Sequence, residues 1–272
     1  MNAIDQVFQR LRAPGRRAFL PFVTAGDPDV ESTAAVARSL VTSGADLIEI
    51  GFPYSDPIAD GPVIQASYTR ALAGGVRLDD VFACSRQIAD SSEVQEKGTP
   101  LLGMVSYSLV LRRGPQAFVE QSRRSGLSGL IVPDLPLEES AELARLSADA
   151  GLCLVQLVTP TTPLERALRI ARQSSGFLYC VSVTGITGER EQVPIQVREL
   201  LGQLRRETRL PLCVGFGISR PEHVRLLREH AGGIIVGSAI VRRMEQAGQR
   251  PLEEILAEIG DLVKGLCAAL NP

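Results

Sequence analysis

The sequence has few of the residues from which metal centres and nucleophilic sites are built. Its only histidines, His223 and His230, lie in a polar helical segment with no cysteine or acidic ligand pattern around them. Its five cysteines are far apart and form no C-x-x-C pair: Cys84, Cys153, Cys180, Cys213 and Cys267. These shortages argue against a metal site. They also argue against a catalytic nucleophile of the Ser-His-Asp or Cys-His type.

Long apolar runs and strong charge of one sign are also missing. No segment has 18 consecutive apolar residues, so no transmembrane helix is predicted. The formal net charge is -2 without a long basic run, so neither nucleic acid nor an anionic membrane is suggested as a partner. The first 17 residues lack the apolar core of a signal peptide. Cysteines inside apolar runs behave as small hydrophobes, and this usage fits a reducing cytoplasm.

The chain instead offers a regular alternation of predicted strands and helices. Its 272 residues, 44% of them hydrophobic, suffice for one domain over residues 1–272 that buries roughly three-quarters of its unfolded surface. A short amphipathic helix is predicted at 2–12, ahead of eight strands that alternate with helices. The predicted strands are 18–24, 47–50, 101–105, 130–134, 152–158, 176–183, 211–215 and 232–236. This order predicts an α/β fold, a (β/α)8 TIM barrel with additional helices, rather than an open doubly wound sheet.

The second predicted strand carries a carboxylate where burial is costly. Side chains alternate along a strand, so Leu47, Glu49 and Gly51 share one face while Ile48 and Ile50 share the other. A parallel strand is normally buried on both faces, and a carboxylate there must be neutralised, paired or functional. One interpretation pairs it with a basic residue or places it at a strand end that reaches water.

The alternative is acid/base chemistry, because a second acid follows in a loop punctuated by glycine and proline. Asp60 lies in the segment after Gly51, at the same end of the predicted strand as Glu49. Two carboxylates in different environments suit such chemistry, since one tends to stay protonated and the other ionised.

Glycines follow the last three predicted strands, at the end of a barrel where active sites form. Gly217 and Gly237 would let backbone N–H groups approach an anion, and Ser238 would begin a helix whose N-terminus favours negative charge. We therefore predict a phosphate site there. The loop after strand six is either a plain mobile loop or a lid, with Gly188 binding phosphate and Thr187 hydrogen-bonding a catalytic carboxylate.

Six segments together resemble the tryptophan synthase alpha subunit family, nearly over the whole chain. They are residues 19–28, 47–65, 130–136, 183–188, 215–219 and 236–241, which include LIEIGFPYSDPIADGPVIQ and GFGIS. The resemblance implies a lyase that cleaves indole-3-glycerol phosphate to indole and D-glyceraldehyde 3-phosphate. It also implies that this retro-aldol reaction needs neither a metal nor an organic cofactor in this chain.

The resemblance also implies roles for individual residues. Glu49 would be the acid/base that protonates indole C3, Asp60 would hydrogen-bond the indole N–H, and Tyr179 would orient the site beside Glu49. Phe22 and Phe216 match positions that flank the indole, although core packing is the usual role of an aromatic residue. The matching phosphate cradle is Gly188, Gly217, Gly237 and Ser238.

A partner is implied as well. Family members pass indole to a beta subunit that carries pyridoxal phosphate, in an αββα complex, and Pro53 and Asp56 fall at the interface positions. The sequence departs from the family at Ser106 and Ser108, where a tyrosine and an asparagine are usual. This departure lies toward the interface and leaves the two acids unchanged.

Three alternatives stay open at this point. The chain could be a free-standing indole-3-glycerol phosphate lyase, or an idle subunit that only activates the beta enzyme, although the presence of both Glu49 and Asp60 speaks against idleness. A different phosphate-binding barrel, such as an isomerase, would share the fold but not the acidic signature.

Overall fold

Eight parallel strands form a closed barrel in the computed structural model, which describes residues 2–58, 60–182, 195–215 and 217–272. Each strand pairs with the next one along the chain, and β1 also pairs with β8, which closes the sheet. The strands are β1 Ala18–Thr24, β2 Ile48–Gly51, β3 Leu101–Met104, β4 Leu127–Ile131, β5 Cys153–Val158, β6 Leu178–Val181, β7 Leu212–Gly215 and β8 Gly233–Val236. The predicted (β/α)8 barrel is confirmed, and the open sheet is excluded.

Helices surround this barrel. In the described part of the chain they are α1 Ala3–Arg12, α2 Val30–Ser43, α3 Pro62–Ala73, α4 Leu78–Ala89, α5 Ser92–Lys97, α6 Tyr107–Arg113, α7 Pro115–Arg124, α8 Ser140–Asp149, α9 Leu164–Gln173, α10 Ile195–Glu207, α11 Pro221–Leu227, α12 Ser238–Met244 and α13 Leu252–Leu270. A 3-10 turn, Leu137–Glu139, precedes α8. None of these helices combines the length and apolar character needed to cross a bilayer.

The fourth strand was predicted too late in the chain. It runs over Leu127–Ile131 rather than 130–134, whereas each of the other seven strands begins within two residues of its predicted start. Pro133 has no N–H to donate to a ladder, and the Leu135 N–H bonds back to the Val132 carbonyl at 3.2 Å. The chain therefore turns directly after Ile131, and the last apolar residues of the run belong to a loop.

Two short helices were also missed. The polar segment before β3 contains α5, which ends at Gly98 with a positive φ of 63°. The segment after β3 contains α6, whose N-cap Ser106 accepts a hydrogen bond from the Ser108 N–H. Helix α5 has one apolar residue, Val94, and α6 spans seven residues, which is too short for a helical period to show in the sequence.

Side chains that alternate along each strand pack in two different layers, the barrel interior and the layer between the strands and the helices. Leu47 packs inside the barrel, whereas Ile48 and Ile50 pack in the layer between strands and helices. Helix α1 closes the N-terminal end of the barrel with one apolar face, which consists of Ile4, Val7, Phe8 and Leu11. The Phe8 ring lies 5.9 Å from the ring of Phe177, just before β6. Polar chemistry is thereby confined to the opposite end.

Candidate active site

A cavity of about 310 Å³ lies at the C-terminal ends of the strands. Its described lining includes seven residues that the sequence nominated: Phe22, Glu49, Asp60, Tyr179, Gly217, Gly237 and Ser238. Five strand or loop regions far apart in the chain supply them, so barrel closure is what brings them together. The nominated Thr187, Gly188 and Phe216 lie outside the described residues.

Glu49 is fully buried in the wall of this cavity. It lies on β2 between Phe22 of β1 and Leu102 of β3, and its exposed fraction is 0%. Neither carboxyl oxygen has a hydrogen-bond partner among the described residues. Burial raises the pKa of Glu49 well above its ordinary value. Burial therefore favours the neutral carboxylic acid over the carboxylate, and the described part of the site gives this side chain no basic partner and no exposure to water.

Tyr179 stands beside this acid on β6. Its ring occupies space that a side chain on β7 would fill, because a Cβ on Gly215 would lie 2.6 Å from the Tyr179 hydroxyl. Burial raises the pKa of Tyr179 well above its ordinary value, and the neighbouring acids Glu49 and Asp60 contribute to the rise. The phenol stays protonated, so its hydroxyl can serve as a hydrogen-bond donor.

A second tyrosine, Tyr68 on α3, was not predicted as part of the site. It is buried, and its hydroxyl lies 2.8 Å from where a Cβ on Gly51 would be. Burial raises its pKa well above the ordinary value, with contributions from Asp60, Tyr54 and Glu49. The only sequence signal was its place four residues after Ile64 on the barrel-facing side of α3, a spacing that ordinary core residues share.

Asp60 occupies a more polar environment than Glu49. Burial, followed by the charge of Asp134, raises the pKa of Asp60 to about 6, and a hydrogen bond with Tyr54 opposes the rise. A group with this pKa is mostly ionised at pH 7. The cavity thus holds a buried acid whose protonated form is favoured and a second acid that is mostly ionised, which is the division of roles that general acid catalysis with charge stabilisation needs.

Backbone groups line the side of the cavity formed by β7 and β8. Gly217 has a φ of 72°, a left-handed conformation that favours glycine. Gly237 is the N-cap of α12, and a Cβ at this position would lie 3.4 Å from the Cβ of Phe22. Ser238 is the first residue of α12, whose opening N–H groups have no partner within the helix. This wall can accept an anion.

A larger groove of about 1000 Å³ lies next to this cavity on the molecular surface. Pro53, Asp56 and Ser108, the three nominated interface residues, line it together with Ser106. The Ser106 hydroxyl lies 2.7 Å from a carboxylate oxygen of Asp134 and 2.8 Å from the Ser108 hydroxyl. The two serines that depart from the family pattern therefore form one hydrogen-bonded cluster with Asp134 at the groove.

The described residues contain no group of three or more histidine, cysteine or acidic side chains that could hold a metal ion. The Nδ1 of His223 accepts a hydrogen bond from the Ser219 N–H at 3.4 Å, close to its own helix. All five cysteines are free thiols.

Comparison with known proteins gives a consistent result. A family model described as "Tryptophan synthase alpha chain" matches residues 8–266. Tryptophan synthase alpha chains of Rhodopirellula baltica and Rippkaea orientalis are 46% and 48% identical, each covering 100% of this chain and 99% of the relative. The solved tryptophan synthase subunit alpha of Legionella pneumophila is 34% identical with a TM-score of 0.88, and covers 100% of this chain and 99% of its own. A Mycobacterium tuberculosis tryptophan synthase structure is 33% identical, with a TM-score of 0.86 and coverage of 99% and 98%.

Proposed function

The chain belongs to the tryptophan synthase alpha chain family, and we propose that it cleaves indole-3-glycerol phosphate to indole and D-glyceraldehyde 3-phosphate by a retro-aldol reaction. The observation that carries this proposal is the pairing of two unlike acids in one cavity. Glu49 is buried without a hydrogen-bond partner among the described residues, and Asp60 has a pKa of about 6. The cavity, about 310 Å³, is within the size range of small-molecule sites.

In this reaction Glu49 acts as the general acid and then as the general base. Its carboxylic acid gives a proton to indole C3, which places positive charge on the ring. The resulting carboxylate then accepts the proton of the hydroxyl on the carbon bonded to C3. The bond between C3 and that carbon breaks, and its electrons restore the indole ring while the aldehyde forms. One residue thus gives and regains one proton.

Asp60 and Tyr179 support this proton transfer. Asp60 accepts a hydrogen bond from the indole N–H and stabilises the charge that develops on the ring. Tyr179 donates from its protonated hydroxyl beside Glu49 and orients the site. Phe22, which lines the cavity, and Phe216 flank the indole.

The substrate phosphate takes the backbone wall at β7 and β8. We assign its binding to Gly217, Gly237, Ser238 and Gly188, with Thr187 hydrogen-bonding a catalytic carboxylate. The left-handed φ of Gly217 and the opening of α12 at Ser238 support the first three assignments. No residue in these roles needs an organic cofactor.

We further propose that indole passes to a beta subunit in an αββα complex, where pyridoxal phosphate completes L-tryptophan synthesis. The groove lined by Pro53, Asp56 and Ser108 adjoins the reaction cavity through the same loop that carries Asp60, which supports it as the docking surface. Exposed Ile58, with 90% of its surface accessible, lies on that loop and would be covered by a partner. The five free thiols agree with a cytoplasmic location.

The test is indole release from indole-3-glycerol phosphate by the purified chain, alone and after addition of a cognate beta subunit. We expect slow cleavage alone and a many-fold acceleration with the partner. Fast cleavage that ignores the beta subunit would identify a free-standing lyase instead. Absence of cleavage in both assays would overturn the proposed reaction, and acceleration of the beta reaction alone would then indicate an activating subunit.

A further inference from the structure

One side chain outside the catalytic pair holds the loop that carries Asp60. The Gln65 amide nitrogen lies 2.8 Å from the Asp60 carbonyl oxygen and 3.1 Å from the Pro57 carbonyl oxygen, and donates to both. The Gln65 backbone N–H donates to the Gly61 carbonyl at 3.0 Å. The loop between β2 and α3, here called the acidic loop, is therefore tied to the first turns of α3 at three carbonyl groups.

Helix α3 is itself anchored to the barrel, so it can serve as a fixed base. The hydroxyls of Thr24 on β1 and Ser67 on α3 are 2.6 Å apart. The Arg70 guanidinium donates to both carboxylate oxygens of buried Asp27 at 2.9 and 2.7 Å. Both contacts join α3 to β1 or the loop that follows it, and a bidentate pair of this kind fixes orientation as well as distance.

Besides Gln65, the acidic loop is held by Tyr54, whose side chain hydrogen-bonds Asp60 and whose ring lies 5.6 Å from the ring of Tyr68 on α3. Its internal contacts include the Asp60 N–H to Pro57 carbonyl bond at 3.1 Å and the Ser55 hydroxyl to Asp56 carboxylate bond at 2.7 Å. Asp56 and Ile58 are exposed. Within the described part of the chain, Gln65 is the side chain outside the loop that donates to the backbone between Pro53 and Asp60.

We propose that Gln65 is a positioning residue that clamps the acidic loop onto α3 and so holds the Asp60 carboxylate against the cavity. This inference rests on the proposed function, because it concerns the residue assigned to the indole N–H. An apolar or anionic side chain at this position would leave two loop carbonyls without their donor. The loop would then relax toward solvent and carry Asp60 with it.

Such a movement has a signature in the titration of Asp60. The groups that face Asp60 are Tyr54 on the acidic loop, Tyr68 on α3, Tyr179 on β6 and Asp134 after β4. Burial is the largest cause of its pKa of about 6. Hydration of a released loop removes that cause, so the pKa falls toward its ordinary value. A smaller fraction of folded enzyme would lower the rate without shifting the titration seen in the kinetics of the folded molecules.

The experiment compares Gln65→Met and Gln65→Glu with the wild-type chain, using Thr69→Ala as the matched control on the same helix. Gln65→Met keeps the length of the side chain but has no donor, and Gln65→Glu puts a carboxylate beside two carbonyl oxygens.

We expect kcat for indole release to fall at least about tenfold in both variants, while KM changes little because the phosphate contacts remain. The acid limb of the kcat/KM profile should move below pH 6 in Gln65→Met. Thr69→Ala removes an exposed hydroxyl that donates to the Gln65 carbonyl, and this variant should match the wild type.

A second readout is independent of activity. Amide hydrogen exchange at Ile58 and Asp60 should accelerate in both Gln65 variants, with exchange in β2 unchanged. Unchanged exchange and an unchanged acid limb would overturn the clamp. If the wild-type chain released no indole, the proposed function would fail, yet accelerated exchange would still support the clamp.

Discussion

The two ends of the barrel are built for opposite purposes. At the N-terminal end, α1 covers the strand starts with Ile4, Val7, Phe8 and Leu11, so that this end is closed and apolar. At the C-terminal end, Glu49, Asp60 and Tyr179 line an open cavity, and one of these acids has no hydrogen-bond partner among the described residues. The N-terminal end contributes to the stability of the fold, whereas the buried carboxylic acid at the C-terminal end reduces it.

The closed end also explains the state of the open one. Leu20 on β1, Leu47 just before β2 and Leu102 beside Glu49 on β3 are buried apolar side chains of the barrel interior. Burial in this interior raises the pKa of Glu49 well above its ordinary value, whereas Asp60 on the loop keeps partial access to water. The two acids therefore differ in burial because they lie at different heights along the barrel axis.

The largest expected effect is loss of catalysis at the open end without loss of fold. Glu49→Gln keeps shape but cannot exchange a proton, so kcat for indole release should fall about 10²–10⁴-fold, the usual contribution of a general acid/base. Thermal unfolding should be unimpaired, because the variant removes an ionisable group that burial disfavours. Glu31→Gln, at an exposed position on α2, is the control and should leave kcat unchanged. Retention of most of the rate by Glu49→Gln would contradict the acid/base assignment.

The converse change should cost stability at the closed end and leave chemistry alone. Phe8→Ala removes a ring with 8% exposure that packs on Phe177, and should lower the free energy of unfolding by about 3–5 kcal/mol. Urea titration measures this loss, with exposed Gln9→Ala as control. The folded variant should keep its kcat. A large fall in kcat would show that packing at the closed end affects catalysis at the open end, and would contradict the separation of the two ends.

A smaller effect is expected from blocking the phosphate wall. Gly237→Val places a branched side chain beside Phe22. We expect KM to rise about 10- to 100-fold, because one hydrogen bond to a charged group, worth about 1.5–3 kcal/mol, would be lost. Steady-state kinetics with inorganic phosphate as a competing inhibitor separates this loss from an effect on kcat. The control is Gly265→Val, on an exposed face of α13 where added carbon meets nothing. An unchanged KM would remove Gly237 from the cradle.

The smallest effect concerns stability against pH. The folded pKa of Asp60, about 6, exceeds its ordinary value of 3.8, so the folded state holds its proton more tightly than the unfolded state. This contribution is complete below pH 3.8 and is lost as pH rises through 6. Wild type should therefore lose about 1 kcal/mol relative to Asp60→Asn between pH 4 and 7, a reduced figure because the side chain is partly solvated. Chemical denaturation at several pH values measures it, and parallel curves for the two proteins would contradict the raised pKa.

The sequence predicted much of the difference between the two ends of the barrel. Alternation of strands and helices indicated the barrel, and the period-two pattern around Glu49 indicated which face it shares with Leu47. The shift of β4 to Leu127–Ile131 could not be read from apolar content, because the loop beyond Ile131 is equally apolar. Roles for Tyr68 and Gln65 depend on how α3 faces the barrel, which spacing alone does not fix. The unpartnered state of Glu49 depends on side chains from neighbouring strands, and only the assembled barrel shows it.

We predict that the apolar barrel keeps Glu49 protonated at neutral pH and ready to act as an acid. Infrared difference spectroscopy of the wild type minus Glu49→Gln at pH 7 tests this directly, because a carboxylic acid and a carboxylate absorb at separate frequencies. We predict a carboxylic acid C=O band in the wild type that is absent from the variant and persists when Asp60 is ionised. A carboxylate band in its place would mean that Glu49 is charged at rest, and would contradict the account.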